Sequence, residues 1–257
     1  MNHNLLRSRL LLPALLGAVT LAASCSRGSK SAITLAGSTS VEPFAERLAE
    51  LYMRAHPDAE ISVQGGGSSA GIRACQSRIC GIGMSSRELT PEEKGLIEIP
   101  IALDAIALIV NRQNPVRELT MEQARDVFAG RIRNWKELGG RDRRITPITR
   151  EEGSGTRASF EEKVMAAGMP NGKDGKANPA AIGYISSGLI DERVAAVELN
   201  GISPSEATVR SGVYPVVRRF LFLTNGEAGG TAKAFINYVL SDSGQNALVE
   251  EGLTRIK

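Results

Sequence analysis

The sequence predicts an α/β protein in which mostly parallel sheets are flanked by helices. Three observations carry this. Short apolar runs of strand length alternate with amphipathic stretches of helix length along almost the whole chain. The joints between them are rich in glycine, serine and threonine, as strand-to-helix turns are. A chain of 257 residues, 42% of them hydrophobic, suffices for the cores of one large or two small α/β domains.

Ile33 to Ala36 reads as the first strand. Val41 to His56 follows as a helix, because Val41, Phe44, Leu48, Leu51, Tyr52 and Ala55 share one stripe. Ser40 is its expected cap, and Pro43 sits in the tolerant first turn. Ile61 to Gln64 is the next strand, and the loop Gly65 to Ser69 leads into a short helix. Ile82 to Met84 is a third strand, and Thr90-Pro91-Glu92-Glu93 has the cap, proline and acids of a helix start. Ile99 to Val110 is apolar apart from Asp104, so it reads as a strand buried on both faces with one carboxylate inside it.

Farther on, Thr120 to Ala129 reads as a helix, Asn134 to Leu138 as a turn and Ile145 to Thr149 as a strand. Gly153 to Thr156 then opens a helix reaching Ala167, and residues 171–180 are loop-like. Ala181 to Ser186 and Val213 to Thr224 are strands, and Thr231 to Leu240 and Gly244 to Glu250 are the last helices.

The first residues read as a targeting segment. Arg7 and Arg9 precede an apolar run from Leu10 to Ala23 that is too short to span a bilayer and stops at Ser24-Cys25. Leu21-Ala22-Ala23-Ser24-Cys25 resembles a bacterial lipobox, which implies a signal peptide over 1–24, a lipid on Cys25 and a membrane anchor outside the cytoplasm. Residues 25–32 are then the anchor and a small, polar tether. Losing 1–24 removes two basic residues from a chain whose formal charge is only +3. A surface so close to neutral has no basic stripe for nucleic acid. Cys75 and Cys80 remain, and their spacing permits either a disulfide across the end of a short helix or two unpaired buried thiols.

Four loops share one grammar, in which a strand ends, small hydroxyl or glycine residues follow and a helix begins. They are Gly37-Ser38-Thr39-Ser40, Gly67-Ser68-Ser69, Ser85-Ser86 and Gly153-Ser154-Gly155-Thr156. Free amides at a helix start carry partial positive charge, glycine lets backbone approach a ligand, and hydroxyls add donors. Arg150 stands just before the last loop and offers a planar fork suited to two oxygens of one anion. Its alternative role is a surface pair with Glu151 or Glu152.

Ala36-Gly37-Ser38-Thr39-Ser40-Val41, Gly65 to Gly71, Ile82-Gly83-Met84-Ser85-Ser86-Arg87, Asn134 to Gly140 and Arg150 to Arg157 resemble, in order, the successive motifs of PstS-like phosphate-binding proteins of ABC transporters. The resemblance runs from about Ile33 to the end of the chain. It implies a two-lobed fold of the type II periplasmic-binding-protein kind with the ligand cleft between lobes. One lobe is expected from 33–107 with 210–257 and the other from 108–209. It further implies inorganic phosphate as ligand, a permease as partner, a monomer, and no cofactor or metal.

The implied phosphate contacts are Ser38, Thr39, Ser40, Ser68, Ser86, Arg150, Ser154, the Gly155 N–H and Thr156. Some relatives carry an aspartate at the place of Ser86, where it accepts the ligand's proton. Asp104 is the expected replacement here, with Glu152 orienting Arg150. A buried carboxylate acceptor favours phosphate, which keeps a proton at neutral pH, over sulfate, which has none. Between Met169 and Asn178 the chain is shorter than the family usually is.

Enzyme chemistry is disfavoured by the same sequence. The two histidines are His3, in the leader, and His56, before Pro57 at a helix end, so Ser154 has no base. No Walker loop or metal-spaced His/Cys cluster is present either. Sensing without transport, or capture of sulfate or molybdate, are the alternatives within a binding role.

Overall fold

The computed structural model describes residues 31–165 and 178–256. The leader, Cys25, most of the tether, the end of the helix expected to reach Ala167 and the shortened segment after Met169 lie outside the described residues.

The first half of the fold is β1 (Ser31–Gly37), α1 (Glu42–Ala55), β2 (Ala59–Gly65), α2 (Ser68–Gln76) and β3 (Ile82–Ser85). Ser31 and Ala32, counted with the tether on sequence, already belong to β1, because the parallel ladder with β2 extends to Ala59 and Glu60. A 3-10 turn at Pro91–Glu93, with the Thr90–Glu93 capping box, leads to the long β4 (Ile97–Asn111).

The middle of the chain gives β5 (Glu118–Leu119), α3 (Met121–Phe128), a 3-10 turn at Trp135–Leu138, β6 (Thr146–Pro147) and α4 (Gly155–Phe160), which runs on as a π turn at Glu161–Met165. After it come β7 (Ala181–Ser186), β8 (Val194–Leu199), α5 (Glu206–Arg210), β9 (Val217–Thr224), α6 (Gly230–Leu240) and α7 (Asp242–Glu250). β9 begins later than the apolar run does, because Pro215 has no N–H for a ladder. The short β5, β8 and α5 carry little periodic signal and take their form from packing.

The sheet order is β2-β1-β3-β9-β4-β7-β6, with β8 beside β4 and β5. The expected parallel pairing holds for β1 with β2 and β3, for β5 with β8 and for β6 with β7. The sheet as a whole is mixed, because β4 runs antiparallel to β7, β8 and β9, and β9 antiparallel to β3. β4 changes neighbours along its length: Ile97 to Ala105 pair with β9, and Ile106 to Asn111 with β7 and β8.

Two apolar cores meet at that change. One gathers Leu35, Phe44, Leu48, Met84, Phe220 and Phe235 from the two ends of the described chain, and the other gathers Leu108, Phe128, Trp135, Phe160, Ile182 and Val197 from its middle. Each large side chain so buried contributes about 1.5–3 kcal/mol. The result is a two-lobed α/β fold whose lobes share β4.

Close approach within the first lobe depends on glycine. A Cβ on Gly71 would stand 2.5 Å from the Ala36 carbonyl oxygen and from Gly37 Cα, and Gly37 itself has φ +139°, a conformation side chains disfavour. α2 is thereby pressed onto the end of β1, which sets Ser68 close to the Ser38 loop. Below α2, Cys75 and Cys80 are free and buried, so the disulfide alternative is not the one found. The Cys75 thiol donates to the Leu223 carbonyl at 3.3 Å, and both residues pack with Ile72, Leu221 and Leu223.

Candidate anion-binding site

The four hydroxyl loops leave their strands at the same end of the two lobes and converge. Ser38 accepts backbone bonds from Val41 and Glu42 through its carbonyl, so the turn into α1 starts there and Ser40 does not cap the helix as expected. The Ser40 hydroxyl instead reaches the other lobe, 2.7 Å from Thr156 Oγ1. Ser38 Oγ donates to Ser86 Oγ at 2.9 Å, and Ser68 Oγ accepts from the Ser86 amide at 3.0 Å and lies 3.3 Å from Ser86 Oγ. Ser38, Ser40, Ser68, Ser86 and Thr156 are all buried, which is an unusual concentration of hydroxyls away from water. Gly155 fits against them without a side chain, since its Cβ would come 2.5 Å from Ser86 Oγ.

Arg150 closes one side. Its Nη2 donates to Thr39 Oγ1 at 2.7 Å across the lobes. The Arg150 amide donates to the Tyr184 hydroxyl at 3.4 Å, and Tyr184 is fixed by stacking on Phe160 with ring centroids 4.0 Å apart. Burial pushes the Tyr184 hydroxyl up from its ordinary value, so it stays neutral and able to accept. The carboxylate paired with Arg150 is Glu151, one of the two partners the sequence offered for a surface pair, and not Glu152: Glu151 takes bonds from Nε at 3.0 Å and Nη2 at 2.8 Å. Those bonds hold the Glu151 carboxyl below its ordinary range. Glu152 lines a cleft of about 600 Å3 beside the cluster, where Arg87, Ser69 and Arg157 are also found. Side chains of neighbouring residues leave the backbone in different directions, so only one of the two glutamates reaches Arg150.

Two further residues have partners that the sequence did not indicate. The Ser154 hydroxyl accepts from the Arg157 amide at 3.3 Å and so caps α4, while Gly155 and Thr156 carry the loop into the cluster. Asp104 is buried as predicted, but its oxygens are engaged: Oδ1 accepts from Ser186 Oγ at 2.6 Å and Oδ2 from Arg218 Nε at 2.8 Å. Burial pushes its carboxyl up, against the charge of Arg218 and the bond from Ser186. Asp104 therefore holds Arg218 rather than standing as a free acceptor.

Arg218 itself escaped the sequence reading. Two adjacent cations, Arg218 and Arg219, interrupt the apolar Val213 to Thr224 run, and strand alternation turns only one of them inward, the counterpart of Asp104 interrupting Ile99 to Val110. The two are cross-strand partners on β4 and β9.

Among the described residues no group of side chains has the arrangement of a metal site, and no helix is long and apolar enough to cross a membrane. The site offers hydroxyls, amides and guanidinium donors, which suits an oxyanion.

Comparison with known proteins agrees with this chemistry. A family profile described as the PBP superfamily domain matches residues 22–243. The phosphate-binding protein PstS of Bacillus subtilis (strain 168) is 33% identical, over 87% of this chain and 80% of that protein. A Clostridium perfringens protein crystallised with bound phosphate superposes with a TM-score of 0.82 at 39% identity, covering 88% of this chain and all of the other. An ABC-type phosphate transport receptor from Vibrio cholerae gives 0.71 at 36% identity, covering 86% and 99% of the two chains. With motifs, fold and site chemistry in agreement, the chain belongs to the PstS-like phosphate-binding proteins of the PBP superfamily.

Proposed function

We propose that this chain captures inorganic phosphate between its lobes and delivers it to the permease of an ABC transporter. The observation that carries the reading is the meeting of both lobes in one polar cluster, with the part-buried Arg150 bonded to Thr39 and the buried Ser40 to Thr156. Hydroxyl protons rotate, so each O–H in the cluster can turn from its neighbour to an anion oxygen. Ser38, Thr39, Ser40, Ser68, Ser86, Ser154, the Gly155 amide, Thr156 and Arg150 are the residues assigned to the ligand, with the Ser154 O–H still free to donate while its oxygen caps α4, and Glu151 orients the guanidinium. Fixed donors then replace the water lost when the lobes close. A serine hydroxyl accepts as well as donates, so Ser86 and its neighbours can accept a hydrogen bond from the P–OH that phosphate keeps at neutral pH.

The working arrangement is a monomer held outside the cytoplasm by a lipid on Cys25, with the lobes divided close to the expected 107/108 and 209/210, at the change of partners near Ala105 on β4 and after Val216, whose side chains still pack with the second core. Binding and release need no covalent step. An enzymatic role for Ser154 is disfavoured because the histidine among the described residues, His56, is engaged elsewhere, stacked on Tyr52 with ring centroids 4.1 Å apart.

Calorimetry tests the proposal. Wild-type protein binds inorganic phosphate at micromolar or lower concentration, and Arg150→Ala folds but loses at least roughly a hundredfold in affinity, as expected for removing a charge-assisted fork. Retained affinity in Arg150→Ala would count against the site. Phosphomonoester turnover lost in Ser154→Ala would favour the enzyme reading instead.

A further inference from the structure

We infer that Arg218 is a second guanidinium of the anion site, held in place by Asp104 so that its Nη2 donates to the bound anion. This rests on the phosphate-binding reading above and adds a ligand residue to it. Arg218 and Asp104 sit opposite one another where β4 and β9 pass between the lobes, with side chains only 2% and 0% exposed. Three nitrogens of the guanidinium have distinct fates. Nε donates to Asp104 Oδ2 at 2.8 Å, and Nη1 donates to the Ser86 carbonyl at 3.3 Å. Nη2 is buried with no hydrogen-bond partner.

That orphan is the informative atom. A buried donor without an acceptor is costly, and the more so when it belongs to a charged group. The rest of the side chain is over-determined. The guanidinium lies 5.0 Å above the Phe220 ring, and Asp104 is itself fixed by Ser186 Oγ from the other lobe. Its contact with Ser86 ties it to the same loop whose hydroxyl bonds Ser38 and neighbours Ser68. The charge of Arg150 also acts on Arg218, adding to the effect of burial in lowering its pKa, so the two cations are within electrostatic reach of each other. A dianion between them meets two positive charges, each backed by one carboxylate, Glu151 or Asp104. Asp104 is then a positioning residue.

The competing role for Arg218 is that of a counter-ion for Asp104 alone, and paired substitutions separate the two. Arg218→Gln leaves a buried carboxylate unpaired and melts early, whereas Asp104→Asn combined with Arg218→Gln removes both charges and restores the melting temperature. If Arg218 touches the ligand, the double variant still binds inorganic phosphate roughly 10- to 100-fold more weakly than wild type, the loss expected for one hydrogen bond to a charged group. Arg218→Lys keeps a charge beside Asp104 but has no fork, and it too binds phosphate roughly tenfold more weakly with an unchanged melting temperature. Both are measured by calorimetry and thermal melting on the full chain. Wild-type affinity in a folded double variant, or in the lysine variant, overturns the inference and leaves phosphate binding standing. A wild-type protein that gives no phosphate binding overturns the functional reading itself.

Discussion

Replacing Gly155 by alanine tests the cluster with one methyl group. Gly155 opens α4 in the second lobe, and its φ lies outside the left-handed region, so an alanine backbone is not strained there. The added Cβ would overlap Ser68 Oγ and stand 2.5 Å from Ser86 Oγ and 2.9 Å from Ser68 Cβ, all atoms of the first lobe's loops. Overpacking of this kind costs about 1–3 kcal/mol where neighbours cannot move. Here the lobes can part, so the strain falls on closure rather than on folding. Alanine also restricts the unfolded chain more than glycine, a gain of about 0.4–1 kcal/mol where the backbone is compatible, and the melting temperature without phosphate should not fall. Binding should, because the Ser68 and Ser86 hydroxyls are pushed off their positions. Each hydrogen bond to a charged group is worth about 1.5–3 kcal/mol, so losing two weakens phosphate by roughly 10²- to 10⁴-fold. Calorimetry with phosphate, beside a melt of the ligand-free protein, reads both quantities. A stable Gly155→Ala protein with wild-type affinity would mean that the anion does not sit among these hydroxyls.

Other substitutions probe the scaffold. Gly71→Ala puts a methyl 2.5 Å from Gly37 Cα, where backbone cannot yield, and should lower stability by about 1–3 kcal/mol in urea titration; an unchanged midpoint refutes the close-packing argument. Glu93 accepts from Arg87 at 2.6 and 2.7 Å, bonds that hold its carboxyl below the ordinary carboxylate range. Because the folded-state value is the lower one, this stabilisation is complete above about pH 4.3 and lost as pH falls through the folded-state value. Glu93→Gln should therefore destabilise the protein by about 1–2 kcal/mol at pH 7 and progressively less below pH 4, and a gap that stays constant down to pH 3 would contradict the assignment.

Much of the fold could be read because its elements advertise themselves locally. The helix start expected at Thr90 is capped as expected but stops after one 3-10 turn, whereas the stripe from Phe44 to Tyr52 and the apolar run through β4 each follow from period and composition within a few residues. β8 did not, because Val194-Ala195-Ala196-Val197-Glu198-Leu199 has small residues and becomes a strand by pairing with β4. The helix start at Ser40 failed for a related reason. A serine before a helix signals a cap, but only the fold shows that its hydroxyl is taken by Thr156, 116 positions away.

The chain alone determined the α/β class, the donor-rich loops and the kind of ligand they suit, because loop chemistry is written in consecutive residues. Partnerships between side chains distant in sequence were decided by the tertiary structure. Glu151 rather than Glu152 faces Arg150, Ser154 turns back to its own helix, and Asp104 is matched by Arg218 from a strand 114 residues on. Direction and distance across a sheet depend on register and strand order. Those emerge only when two cores close around β4, and there a lone buried carboxylate acquires its cation.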